Sequence, residues 1–466
     1  MAEAGVALRR IPTRPRLALA AIVLVSLVLR WCLFSIQSGD YRAFVDPWYR
    51  HLAENGGFAA LGDTFSNYNT PYLVLLAATT YLPVPELVAI KSISVIFDLV
   101  LALFTYKIIR RLRPESAWQP VIGTGLILLL PTVVMNSSAW GQCDSIYVSL
   151  CVASLYFLIT RRPWLVAAFF GLGLAFKLQA IFLLPALVVV LIINRQRLVA
   201  LIAAPGAFLA TLVPALLAGR GLLSQLSVYP AQIAGSSGAV GVGGGPGGRG
   251  RFGGLGGGGF NPNGLPGRLP GRGAGDGFSL TDGYSFTYNA PTPYAWLPAD
   301  ASTLWKYAGL GLAAVMALAF GVWLLARRRQ LAPSEVIMVA AAATLAIPVL
   351  LPDMHERYFY LAEVLTVIAI FVDRRFAIAA LGIQAASIST YLAYLENARN
   401  VPLGLTAMLA LGAAVAAAVV LVVRLKASSK DDRRKIVEDG SDQAGRVGNA
   451  PGQSRSTSLL AARAPD

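Results

Sequence analysis

Along this chain, apolar runs of bilayer length recur, separated by short clusters of polar residues. The first extends from Leu17 to about Ile36, and others cover about 86–107, 118–135, 143–160, 163–177, 179–194, 198–217, 303–326, 333–350, 358–372, 376–394 and 403–423. A helix of roughly 20 apolar residues crosses about 30 Å of hydrocarbon. The pattern therefore predicts an all-α, polytopic transmembrane helix bundle of about 12 spans.

The polar clusters set the orientation. Lys107/Arg110/Arg111/Arg113, Arg161/Arg162, Arg195/Arg197, Arg327/Arg328/Arg329, Arg374/Arg375 and the tail from Arg424 all fall on one side if each run is one span. Short loops rich in Lys and Arg stay in the cytoplasm, so both termini are expected to be cytoplasmic. Arg9, Arg10, Arg14 and Arg16 precede the first run in signal-sequence order, but that run exceeds a 7–15-residue signal core and no small-residue cleavage site follows it. It reads as an uncleaved span. Counting the apolar segment Thr70–Leu82 as a span would invert everything downstream, so it is expected to be an interfacial or re-entrant helix of the first outer loop.

The resulting organisation is a cytoplasmic N-terminus (1–16), a first transmembrane module (17–217) carrying an outer loop at 37–85, an outer Gly-rich loop expected to be mostly disordered (218–302), a second transmembrane module (303–423) and a disordered cytoplasmic tail (424–466). Within the outer segment, Gly235–Gly283 is dominated by Gly, with Pro, Arg249, Arg251, Arg268 and Arg272 interspersed. It lacks a collagen repeat and, having no Lys, lacks a phosphate loop. Such a composition buries too little apolar area to offset backbone entropy, so it is expected to be mostly disordered. The same holds for the charged tail after Lys426.

Composition narrows the class. Of 466 residues, 56% are hydrophobic and 14% charged, against about 45–50% and about 25% in soluble domains. A soluble globular protein is excluded. The net charge of +15 would suggest nucleic acid in a soluble chain, but its placement between apolar runs is accounted for by topology, so no nucleic-acid partner is expected. Cys32, Cys143 and Cys151 form no CxxC pair or Cys/His cluster, which predicts neither disulfides nor structural zinc.

Ionisable groups at the membrane face are costly, and here they gather on the outer side. Asp40 follows the first span in Gly39-Asp40-Tyr41-Arg42-Ala43. Asn136-Ser137-Ser138-Ala139-Trp140-Gly141-Gln142-Cys143-Asp144 ends the third span, Lys177-Leu178-Gln179 joins the fifth and sixth, and Asp353-Met354-His355-Glu356-Arg357-Tyr358 follows the ninth. Four separated segments thus supply carboxylates, cations, an imidazole and aromatic rings to one face, as a phosphorylated or sugar-bearing ligand requires. Blander roles exist for each. Asp40 can be a solvated loop carboxylate, Trp140 a belt anchor, and His355-Glu356-Arg357 an interfacial ion-pair network. Lys177, Lys91 and Lys306 can snorkel to the headgroups. Asp98, inside the second span with no near cation in sequence, is open to either reading.

These residues resemble the GT-C superfamily of integral-membrane glycosyltransferases, nearest to bacterial proteins related to the second GPI mannosyltransferase. Gly39-Asp40-Tyr41-x-Ala43 matches the outer-loop motif whose Asp is the family's catalytic base, and Asn67-Tyr68-Asn69-Thr70-Pro71 the segment that follows it. Trp140-Gly141-Gln142-x-Asp144, Lys177-x-Gln179 and His355-Glu356-Arg357-Tyr358 match further outer-face motifs. Relatives often carry Lys-Gln adjacent, whereas Leu178 separates the two here.

The resemblance implies transfer of a hexose, with mannose favoured, from a polyprenyl-phosphate-linked donor to a lipid, glycan or protein acceptor at the outer face of a plasma membrane. Asp40 would be the base, with Lys177, His355 and Arg357 as the cations and hydrogen-bond donors for the leaving phosphate. Gln142, Asp144, Glu356, Gln179, Tyr358 and Trp140 would bind the substrate. No cofactor is implied and a metal is not obligatory. The alternative is a multi-span transporter or lipid flippase, which would place polar sites near the midplane between repeated halves and for which Asp98 is the candidate feature.

Overall fold

The computed structural model describes residues 12–233 and 286–448, apart from 328 and 397, with side chains described as far as 428. The Gly-rich segment Gly235–Gly283 and the chain end from 449 lie outside the described residues. The chain divides into two compact units, Met1–Ala418 and Val419–Asp466. Of the second, the described part is helical backbone to Gly448.

The protein is an all-α membrane protein. By length and composition, six helices suffice to cross a hydrocarbon core: α1 (Thr13–Leu33), α4 (Glu86–Leu112), α14 (Leu304–Ala326), α15 (Pro333–Leu350), α17 (Phe376–Glu396) and the Leu403–Ser428 stretch of α18 (Leu403–Gly448). A seventh is reached if the bent pair Trp118–Leu128 and Pro131–Trp140 counts as one. Between α1 and α4 the chain folds into α2 (Asp46–Glu54) and α3 (Thr70–Thr79), with Pro71 in the first turn of α3.

Several other expected spans are shorter or broken, and prolines account for much of the breakage. The run 118–135 becomes α5 (Trp118–Leu128) and α6 (Pro131–Val134), bent by 51°. Pro131 removes a backbone donor there and cannot continue the preceding helix. α7 (Asp144–Ile159) and α8 (Pro163–Phe176) have 16 and 14 residues, or about 24 and 21 Å at 1.5 Å per residue. The run 179–194 opens as a 3-10 turn over Leu178–Leu183 and becomes α9 (Leu184–Ile193). The run 198–217 divides into a 3-10 turn, α10 (Ala203–Ala210) and α11 (Val213–Leu217), with Pro214 in the first turn of α11.

Parts of the 218–302 segment are ordered. Before the Gly-rich stretch lie α12 (Leu222–Leu226) and α13 (Val228–Ile233); after it lies β1 (Thr287–Tyr288), followed by a turn at Pro293–Trp296. β1 pairs in parallel with β2 (Met354–His355), placing Thr287 opposite Met354 and Tyr288 opposite His355. α16 (Tyr360–Ile370) then returns into the bundle.

Inside the bundle, α1 buries only Pro15, Ser26 and Arg30. Arg30 Nε donates to Asp98 Oδ2 at 2.9 Å, and its Nη1 donates to the carbonyl of Leu128 at 2.9 Å. Asp98, which has no neighbouring cation in sequence, is therefore half of a buried ion pair linking α1 and α4. Lys91 does not snorkel. It is 0% exposed, because carbonyls freed at the end of α1 offer its ammonium more than the headgroups would.

Candidate functional site

The site begins where two helices loosen. After α1, Ser38 Oγ donates to the carbonyl of Trp140 at 2.7 Å and accepts the Tyr41 N–H at 3.1 Å. Asp40 stands at the start of a π-helical turn, Tyr41–Val45. A second π-helical turn, Met135–Trp140, follows α6 and stops at Gly141, whose φ of +77° is a left-handed conformation suited to glycine. π turns widen the helix by one residue and often serve functional sites. Lys91 Nζ ties the exit of α1 to the second turn, donating to the carbonyls of Phe34 (2.9 Å), Ile36 (2.5 Å) and Ser138 (2.5 Å).

These turns bring Asp40, Trp140 and Gln142 together with Arg357, which follows the β2 strand. Asp40 Oδ2 accepts hydrogen bonds from Gln142 Nε2 at 2.5 Å, Arg357 Nη1 at 2.6 Å and Trp140 Nε1 at 3.1 Å. Oδ1 accepts the Tyr394 hydroxyl at 2.7 Å. Asp40 is thus not a free loop carboxylate, and Trp140, 0% exposed, is not a belt anchor. The Arg357 guanidinium also lies over the Trp140 ring, 5.5 Å from its centroid. Burial pushes the Asp40 carboxyl up, but Arg357 and the hydrogen bonds from Tyr394 and Trp140 outweigh it and hold the group below its ordinary value. Burial disfavours the charged form of Arg357, yet Asp40 keeps it firmly protonated.

A second ion pair lies beside the first. Lys177 sits in extended backbone where α8 ends, and its Nζ meets Asp144 Oδ1 at 2.5 Å with both side chains buried. Asn136 Nδ2 donates to the other carboxylate oxygen at 2.8 Å. Lys177 therefore does not reach the headgroups; it is anchored by Asp144, with its ammonium 5.7 Å from the centroid of the Tyr68 ring. Gln179 hydrogen-bonds the Tyr358 hydroxyl, although Leu178 separates it from Lys177.

His355 stacks on Tyr288 at 4.8 Å and leans on Tyr358 at 5.3 Å. Burial and the nearby Arg357 lower its pKa to about 3. Of the two roles expected of it, cation or hydrogen-bond donor, this environment favours the second, because burial and Arg357 both disfavour the imidazolium. Glu356 is 3% exposed, and burial raises its pKa to about 7 against the pull of Arg357. Lys306, expected to snorkel, pairs with Asp353 at 2.5 Å.

Three contributors were not read from the sequence. Tyr394 ends the 376–394 run and had the composition of a span terminus, although the spacing of Tyr391 and Tyr394 places both on one helix face. Tyr288 and Asn289 lie just beyond the Gly-rich segment, where no periodicity marks them. Asn289 Nδ2 donates to the carbonyl of Thr390 at 2.9 Å, tying this segment to α17.

Apolar helices that present paired carboxylates and cations at their ends define a membrane protein with a polar site held by many separate segments. Residues 65–248 match the family model described as Glycosyltransferase family 87, which supports a membrane glycosyltransferase of the GT-C type. The matched stretch contains Trp140, Gln142, Asp144, Lys177 and Gln179; Asp40, His355, Glu356, Arg357 and Tyr358 lie outside it. No curated protein matches the chain.

Proposed function

We propose that the protein transfers a hexose, with mannose the leading candidate, from a polyprenyl-phosphate-linked donor to a lipid, glycan or protein acceptor at the outer face of the plasma membrane. In this reading the chain spans the membrane about 12 times with both termini cytoplasmic. The observation that carries the proposal is the contact of Asp40 with Arg357 at 2.6 Å, because it sets a base beside the cation best suited to a phosphate.

The reaction is an inverting displacement. An acceptor hydroxyl oxygen attacks the anomeric carbon, its proton passes to Asp40, and the bond from that carbon to the phosphate oxygen breaks with its electron pair leaving on the phosphate. Arg357 offers the leaving phosphate a charge-assisted, bidentate partner. Lys177, neutralised by Asp144, acts mainly as a hydrogen-bond donor, while His355 supplies a neutral ring nitrogen. Gln142, Glu356, Gln179 and Tyr358 offer hydrogen bonds to sugar hydroxyls, and Trp140 frames the carboxylate.

The test is transfer from radiolabelled polyprenyl-phosphate-mannose, with the glucose carrier in parallel, in membranes holding equal amounts of wild-type or Asp40→Asn protein. Labelled product that requires Asp40 supports the reading. Wild-type turnover in Asp40→Asn, or no product from either carrier, overturns it.

A further inference from the structure

The two carboxylate oxygens of Asp40 are not equivalent. Oδ2 accepts three donors, from Gln142, Arg357 and Trp140, whereas a carboxylate oxygen has about two lone-pair sites. Oδ1 accepts one, the hydroxyl of Tyr394. That hydroxyl also accepts the backbone N–H of Asp40 at 3.0 Å, so Tyr394 holds the residue at both its main chain and its carboxylate.

Tyr394 is itself fixed. Its ring stacks on Trp140 at 4.2 Å and 15°, and Tyr391, on the same face of α17, meets Trp140 edge-on at 5.0 Å. Thr390, one residue before Tyr391, receives Asn289 through its carbonyl. A tyrosine held by its ring and spending its hydroxyl on one carboxylate is preorganised to fix the direction of the remaining lone pair.

We infer that Tyr394 is a positioning residue for the base, and that Oδ1, the oxygen it holds, is the one that takes the acceptor's proton. The inference rests on the assignment of Asp40 as base. During transfer the acceptor O–H bond breaks, its electron pair forms the new bond to the anomeric carbon, and the proton goes to the open lone pair of Oδ1. The bond from the anomeric carbon to the phosphate oxygen breaks, and its electron pair leaves on that oxygen. Tyr394 exchanges no proton; its hydrogen bond keeps Oδ1 aimed and favours the ionised carboxylate. The titratable and charged groups facing Asp40 are Arg357, His355 and Glu356 from the β2 segment and Tyr394 from α17.

The test is Tyr394→Phe, which keeps the stacked ring and removes only the hydroxyl. Turnover is expected to fall by up to about 10²-fold, with KM for the lipid-linked donor within about twofold of wild type, because Arg357 and Gln142 are untouched. The acid limb of the pH profile is expected to move to higher pH, since a hydrogen bond that favours the carboxylate is lost. A loss of folded protein would scale the whole profile without moving its limb.

A second measurement does not depend on turnover. The Asp40 carboxyl band, isolated as the infrared difference between the wild type and Asp40→Asn, is expected to titrate at higher pH in Tyr394→Phe. An unmoved band or limb in folded Tyr394→Phe overturns the inference. An inactive Asp40→Asn beside an unaltered Tyr394→Phe overturns the role of Tyr394 alone, whereas an active Asp40→Asn overturns the functional reading beneath it.

Discussion

Arg30 and Asp98 meet at 2.9 Å inside the bundle with side chains 1% and 0% exposed. Neither charge is tolerable there alone, and their pairing fixes α1, whose other contacts are few, against α4. Asp98→Ala is expected to cost about 3–5 kcal/mol, because it leaves a guanidinium buried without its counterion. Replacing both residues by Leu should recover most of that loss. Thermal unfolding in detergent measures both effects, and an Asp98→Ala protein as stable as wild type would contradict the pairing. Sugar transfer per folded molecule should survive the double replacement, which separates this pair from the site around Asp40.

Arg357 governs Asp40 through charge. Arg357→Gln removes the cation that opposes the effect of burial, so the Asp40 carboxyl should rise. A carboxylate with a depressed value is ionised, and active as a base, down to low pH; once the depression is lifted, that activity is lost at a higher pH as the medium is acidified. The expected outcome is an acid limb displaced upward, together with a fall in turnover of about 10²–10³-fold if Arg357 stabilises the leaving phosphate as proposed. Rate against pH for the two proteins is the measurement, and coincident limbs would refute the coupling.

The sequence carried the apolar runs and the polar clusters between them, because hydrophobic length and charge are local properties. It also carried three of the four residues whose side chains bond the Asp40 carboxylate: Trp140, Gln142 and Arg357. It did not carry where a run breaks. Pro131 and Pro214 lie inside or beside stretches apolar enough to pass as continuous spans, and composition averages over them. Nor did it carry partnerships across long separations. Arg30 and Asp98 are 68 residues apart, and Tyr394 reaches Asp40 across 354. His355 could be read from sequence as a cation or as a hydrogen-bond donor; burial, first among the causes that disfavour its charge, comes from packing that includes the Tyr288 ring of a distant strand.

Lys91 joins the exit of α1 to the turn carrying Trp140. Lys91→Met is close in size but donates no hydrogen bonds, so the carbonyls of Phe34, Ile36 and Ser138 lose their shared partner. Each buried acceptor left unmade costs about 1–3 kcal/mol. Besides lower stability, this variant should lose activity in the protein that still folds, because Asp40 and Trp140 are no longer held in register. Assaying turnover per folded molecule at a temperature well below unfolding tests this; normal turnover there would mean that Lys91 acts on stability alone.

Glu356 and His355 are adjacent and oppose one another in their effect on stability. Burial raises the Glu356 carboxyl to about 7 from an ordinary 4.5, so the folded state prefers it protonated. Its contribution is fully present below the ordinary value and is lost as pH rises through about 7, where the fold must hold a buried carboxylate. His355 is depressed to about 3 from an ordinary 6.5, so its contribution is present above 6.5 and is lost as pH falls toward 3. Glu356→Gln should therefore gain on the wild type as pH rises from about 5 to about 8, and His355→Phe should gain on it as pH falls below about 6. Unfolding temperature against pH for the three proteins is the measurement. If the Glu356→Gln curve runs parallel to wild type through that range, Glu356 is ionised in the fold and has found a counterion other than the one already held by Asp40.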